Sequence, residues 1–147
     1  MIMKDVHHDK ARQTRILIVE DESALMDIYA MVLSQTGYEV IKASDGVAGL
    51  EAAIHESPDL VLLDLALPLK DGFEVLRDLR RNPRTAVTPV IILSNLGQDY
   101  EVKTGLNLGA NKFLIKTQVG PEMLSEEVAK VLAKARAAAQ SENVDKK

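Results

Sequence analysis

The chain reads as an α/β domain with a doubly wound, five-stranded parallel sheet, and three observations predict it. Short aliphatic runs without polar alternation recur along the chain, the pattern of strands buried on both faces. Each run is followed by a stretch with helical spacing of apolar residues, so β and α units alternate five times. Four of the runs end on Glu20-Asp21-Glu22, Asp64, Ser94-Asn95 and Lys116. Ligands of parallel sheets bind outside the carboxyl ends of the strands, so four distant stretches converge on one site.

Residues 1–13 are polar and aperiodic and predict a flexible leader, with the adjacent His7 and His8 read as part of a solvated tail. The first strand is Arg15–Val19. A helix follows from about Ser23 to Gln35, with Leu25, Ile28, Tyr29, Val32 and Leu33 on one face and Gly37 placed to stop it. Tyr38–Ala43 is a short strand, and Asp45-Gly46 opens a second helix to about His55. Pro58, tolerated at a first strand position, starts the third strand, which runs to Asp64. Leu65–Gly72 forms a loop with turn residues at both ends. A third helix, about Phe73–Arg81, closes at Asn82-Pro83. Strand four is Val90–Leu93, and a weak helix of about Gln98–Leu108 carries Gly105 inside it and Gly109 after it. Strand five is about Lys112–Ile115, and the last helix spans about Pro121–Gln140. The crossovers are expected to be right-handed.

Composition narrows the function classes. At 147 residues the chain is one domain with room for a real core. Apolar residues make up 46% and charged residues 27%, as in soluble globular proteins, and only 3% are aromatic, so the core is aliphatic. A net charge of −4 argues against a general nucleic-acid binder. The absence of cysteine excludes disulfides, a thiol nucleophile and a cysteine-type zinc site. No apolar run approaches the ~18 residues of a membrane span, and no signal-peptide pattern opens the chain, so a cytoplasmic domain without membrane contact is expected.

Strands one and three meet at a topological switch point, which brings Glu20, Asp21 and Asp64 together. Two carboxylates about 4 Å apart repel by ~4 kcal/mol at an effective dielectric near 20, so three clustered acids need compensation. An oxygen-loving divalent cation such as Mg²⁺ supplies it while keeping positions for water and phosphate, and Lys116 adds a further positive charge. Asp64 can then act as a nucleophile toward a phosphoryl donor. The Ser94 hydroxyl is placed to hydrogen-bond one of the transferring oxygens.

Over roughly residues 14–138 the chain resembles the receiver domain of two-component response regulators. The matching stretches are Ile16–Glu22, Asp59–Leu65 with Pro68 and Asp71-Gly72, Val90–Ser94 and Gly109–Lys116. The resemblance implies a flavodoxin-like (β/α)5 fold with strand order 2-1-3-4-5. It implies that Asp64 is the phosphoacceptor and that Glu20 and Asp21, with the backbone carbonyl of Ala66, organise Mg²⁺ around it. Ser94 matches the switch hydroxyl, Phe113 the switch aromatic and Lys116 the site lysine. The implied donor is a histidine kinase or phosphotransfer protein. The implied output is a protein contact through the helix four, strand five and helix five face, with no direct nucleic-acid contact from this domain. The implied chemistry is Mg²⁺-dependent self-phosphorylation and autodephosphorylation, with no other enzymatic activity.

Three positions depart from the family pattern. Asn95 follows the switch hydroxyl where a small residue is usual, and its amide is placed to crowd or hydrogen-bond the phosphoryl group. Thr117 follows the lysine where proline is usual, so a trans bond and a reshaped loop are expected there. Phe113 lacks the hydroxyl that tyrosine would offer a partner.

Plainer roles compete with each residue. Glu20-Asp21-Glu22 could serve only the dipole of the following helix, Ser94 could be a helix cap, and Phe113 could simply pack. A phosphorylation-independent binding module is the alternative function. A hydrolase turning over an aspartyl phosphate ranks behind it, because a second carboxylate would be needed at position 66, which is Ala66. The expected extents are a leader at 1–13, the receiver domain at 14–140 and a flexible tail at 141–147. The alanine-rich end of the last helix is open to two readings, a linker into a further domain or a contact in a weak homodimer.

Overall fold

The computed structural model describes residues 12–95 and 97–145. Five strands, β1 (Arg15–Val19), β2 (Glu39–Ala43), β3 (Leu60–Asp64), β4 (Val90–Ser94) and β5 (Lys112–Ile115), form one sheet in the order β2-β1-β3-β4-β5. All four pairings are parallel. Helices α1 (Ser23–Thr36), α2 (Gly46–Glu56), α3 (Gly72–Arg81), α4 (Asp99–Asn107) and α5 (Pro121–Asp145) connect or follow them. This is the predicted doubly wound (β/α)5 sheet. Among the described residues no helix is long and apolar enough to cross a membrane.

The aliphatic runs explain the layering. Successive strand side chains point to opposite faces, so a strand covered on both faces must be apolar at every position. Ile16, Ile18, Leu60, Leu62, Ile91 and Leu93 point to one face, where Met26, Tyr29 and Leu33 of α1 and Leu124 and Val128 of α5 cover them. Leu17, Val19, Val61, Leu63, Val90 and Ile92 point to the other, beneath Ala53 of α2 and Val75, Leu76 and Leu79 of α3. α4 closes the edge of that second layer, with Gly105 buried against Ile92 and Phe113.

Helix ends follow local chemistry. Gly37 stops α1 with a φ of 108°, a left-handed conformation that glycine adopts without a Cβ penalty, and its N–H reaches the Leu33 and Ser34 carbonyls. Asp45 caps α2 through Ala48 N–H. Asp71 and Glu74 form a reciprocal capping box on α3. The base of the sheet is held by Arg80, whose guanidinium donates to the carbonyls of Thr85 (3.2 Å), Thr88 (2.8 Å) and Gly109 (2.8 Å).

Several boundaries shift by one residue, β2 beginning at Glu39 and β4 ending at Ser94 among them, and three further differences have a local cause or a larger extent. β3 begins at Leu60, not Pro58, because the Asp59 carboxylate accepts the Arg15 N–H at 2.8 Å at the strand's entrance. α5 continues to Asp145, so residues 141–145, expected to be a fraying tail, are helical. Residues 1–11 of the expected leader lie outside the described residues, whereas Arg12 pairs with Asp59 at 3.8 Å and Gln13 donates to the Gly37 carbonyl.

Candidate functional site

Strand order reverses at β1, which has β2 on one side and β3 on the other, so a crevice opens at their carboxyl ends. Glu20 leaves β1 into this crevice and is held there by its N–H bond to the Ala43 carbonyl at 3.0 Å. Asp64 is the last residue of β3, and Ser94 the last of β4, paired in register with Ile115. Lys116 comes one residue later. Each functional side chain therefore sits where an apolar run ends, and Glu20, Asp64 and Ser94 are all buried.

The Lys116 ammonium donates to Glu20 Oε1 at 2.7 Å and lies 3.3 Å from Asp64 Oδ2. Its side chain is only 7% exposed, so solvent screens these contacts weakly. The second Glu20 oxygen accepts the Glu22 N–H at 3.1 Å, and Asp64 Oδ1 accepts the Ala66 N–H at 3.3 Å. Asp21 is exposed, yet one oxygen each from Glu20, Asp21 and Asp64 lie within 4.8 Å of one another. These three hard oxygen donors, one open to solvent, suit an octahedral cation that retains water. The donor set fits Mg²⁺ chemistry and offers nothing to a soft metal.

Burial, then the nearby charge of Glu20, push the Asp64 carboxyl up to about 6, while Lys116 and the Ala66 N–H pull the other way. For Lys116, burial opposes the charge, but the hydrogen bond to Glu20 and the charges of Asp64 and Glu20 outweigh it and raise its pKa. The unfolded carboxyl ionises near its usual 3.8 and the folded one near 6, so the metal-free fold loses stability as pH rises through that window and levels off above it. After allowance for solvent screening, the loss is about 1–2 kcal/mol. Asp64→Asn is expected to remove that slope and to stabilise the metal-free protein by a similar amount at pH 7. Urea unfolding of both proteins between pH 4 and pH 8 measures it, and parallel curves would refute it.

A cavity of about 520 Å³ gathers the predicted residues Glu20, Asp21, Asp64, Ala66, Ser94 and Lys116, together with Asn95. Phe113 is not among its lining; the ring is half-buried and packs beside Gly105 and the α2–α3 layer. Ser94 is not the cap of α4, a position that Gln98 takes, and Asp71, not Asp64, caps α3. No cis peptide bond occurs among the described residues, so Thr117 follows Lys116 through a trans bond, and Lys116–Gln118 form a 3-10 turn. The cavity also draws in Asp71, Phe73 and Glu101, which sequence reasoning missed. Asp71 falls among the turn residues of the loop and Glu101 inside the weak fourth helix, and nothing in their spacing signals that they line the site.

This fold, with an acidic trio and a lysine at the switch point, defines a doubly wound α/β domain with a charged, cation-fitting crevice at the carboxyl ends of its strands. The profile of the response regulator receiver domain family matches residues 16–129, and the chain belongs to that family. It is 43% identical over 111 residues to the DNA-binding dual master transcriptional regulator RpaA of Synechocystis sp., a match covering 76% of this chain and 46% of that protein. The CheY-like receiver domain protein of Methanospirillum hungatei superposes with a TM-score of 0.80 at 28% identity, covering 86% of this chain and 98% of that one. The Mn²⁺-bound response regulator Rcp1 superposes with a TM-score of 0.66 at 31% identity, covering 77% and 88%. The chain spans about half the length of the curated relatives it matches.

Proposed function

We propose that this receiver domain accepts a phosphoryl group on Asp64 from a histidine kinase or phosphotransfer protein. The observation that carries the reading is the Lys116 ammonium bridging Glu20 and Asp64 in a cavity that Ser94 also lines. An Asp64 carboxylate oxygen forms the new O–P bond as the donor's P–N bond breaks, and the electron pair leaves with the imidazole. Lys116 neutralises charge on the transferring oxygens, and the Ser94 hydroxyl donates to one of them. Glu20, Asp21 and Asp64, with the Ala66 carbonyl, would hold Mg²⁺, which supplies further neutralisation of those oxygens; Rcp1 carries Mn²⁺.

The output we assign is a contact with a downstream protein through α4, β5 and α5, switched as Ser94 draws toward the phosphoryl group and Phe113 turns inward. Self-phosphorylation and autodephosphorylation are the only reactions in this assignment. Contact with DNA is left to a further domain. The setting that fits such a donor is the cytoplasm.

Intact-protein mass after incubation with acetyl phosphate tests the reading. One added phosphoryl group is expected in the presence of Mg²⁺, none without it, and none in Asp64→Ala. A wild-type chain that stays unlabelled where another receiver domain is labelled would refute the phosphoacceptor role and favour a phosphorylation-independent binding module.

A further inference from the structure

Six carboxylates line the cavity (Glu20, Asp21, Glu22, Asp64, Asp71 and Glu101), against the single ammonium of Lys116. Four have an evident occupation. Glu20 and Asp64 are bridged by Lys116, Asp21 completes the oxygen trio, and Asp71 caps α3. Glu22 stands exposed at the start of α1. Glu101 is different. It lies in the first turn of α4, and its Oε1 is enclosed without a hydrogen-bond partner, the only such buried side-chain oxygen or nitrogen among the described residues.

Buried polar atoms are almost always satisfied, so an exception calls for an explanation. The helix dipole accounts for an acid in the first turn, not for an oxygen enclosed without a donor. Glu101 is also among the residues lining the cavity that would admit the phosphoryl group. We infer that Glu101 is a positioning residue that opposes the phosphoryl group on Asp64 and thereby shortens the life of the phosphorylated state. The inference rests on the phosphoacceptor reading of Asp64. The added phosphoryl oxygens bring more negative charge into a space where Lys116 is already shared between two carboxylates. The Oε1 of this half-buried Glu101 has no donor among the described residues to soften the repulsion, and in a partly enclosed site like charges are weakly screened. Asn95, which lines the same cavity, offers an amide without charge and cannot act in this way.

The test compares the wild type with Glu101→Gln, Glu101→Leu and Glu101→Asp at saturating Mg²⁺. Beryllofluoride binding is followed by fluorine NMR, and loss of the acyl phosphate by intact mass. Removing the charge is expected to lower the half-saturating beryllofluoride concentration and to lengthen the acyl-phosphate half-life, each by about tenfold. Gln and Leu are expected to behave alike, Asp to resemble the wild type, and the salt dependence of binding to flatten in Gln and Leu only.

Gln and Leu values within twofold of wild type overturn the assignment, as does a change in Leu that Gln does not share, which marks a packing role. Gln is isosteric and carries the test alone should Leu fail to fold. A wild-type chain that neither binds beryllofluoride nor is labelled overturns the phosphoacceptor reading together with this one. A labelled wild type with unmoved variants overturns the Glu101 role alone.

Discussion

Replacing Lys116 with methionine is expected to cost about 3–5 kcal/mol of folding stability in the absence of divalent cations, the range for removing one partner of a buried ion pair. Methionine preserves most of the apolar stem, so the loss isolates the ammonium. Without it, Glu20 and Asp64 face each other across the crevice, both buried, with the Glu22 and Ala66 N–H groups as partial compensation. Urea unfolding with and without Asp64→Asn in the same background checks the cause. The second substitution should restore much of the lost stability, because it removes one of the two stranded charges. A gain from Asp64→Asn no larger in the Lys116→Met background than in the wild type would mean that Lys116 stabilises through packing instead. The same Lys116→Met variant should accept phosphate poorly from acetyl phosphate even where it is folded.

Gly72→Ala carries the second large effect, for a steric reason. A Cβ at this position would overlap the Asp64 carbonyl oxygen and lie 2.7 Å from Leu65 Cα. Both are backbone atoms, with no rotamer to relieve the contact, so the loop after β3 must move. That loop folds back on itself through the Gly72 N–H to the Leu65 carbonyl at 2.9 Å, and it carries Ala66 toward Asp64. A destabilisation of about 2–4 kcal/mol is expected, together with a marked drop in Asp64 labelling. Gly120→Ala is the control, since nothing lies within 4 Å of its added carbon, and it should shift the urea midpoint very little. Equal midpoints for the two variants would defeat the argument.

The parts of this molecule legible in its sequence are those governed by periodicity. Leu60–Leu63 and Val90–Leu93 are apolar at every position because helices cover both faces, and that pattern needs no tertiary information. Asp64, Ser94 and Lys116 were readable for the same reason, since each interrupts such a run. What escaped depends on chain segments returning to the site. Glu101 looks like any acid in a helix's first turn until the cavity is seen to include it. Arg80 looks like a basic residue complementing a helix C-terminus, and nothing local announces the carbonyls of Thr85, Thr88 and Gly109 that it gathers. The last helix outran its predicted end because Gln140-Ser141-Glu142 has no apolar period, while backbone hydrogen bonding carries the helix onward without one.

The Arg80 clasp bears on how the domain can transmit force. It ties the Gly109 carbonyl, just past the C-terminal end of α4, to the last turn of α3 and to the entrance of β4. At the other end of α4, Gln98 offers no side-chain cap and the first turn borders the cavity. One end of the helix is moored and the other rests on the site. A displacement at the first turn is therefore expected to pivot the helix about its moored end rather than shift it bodily.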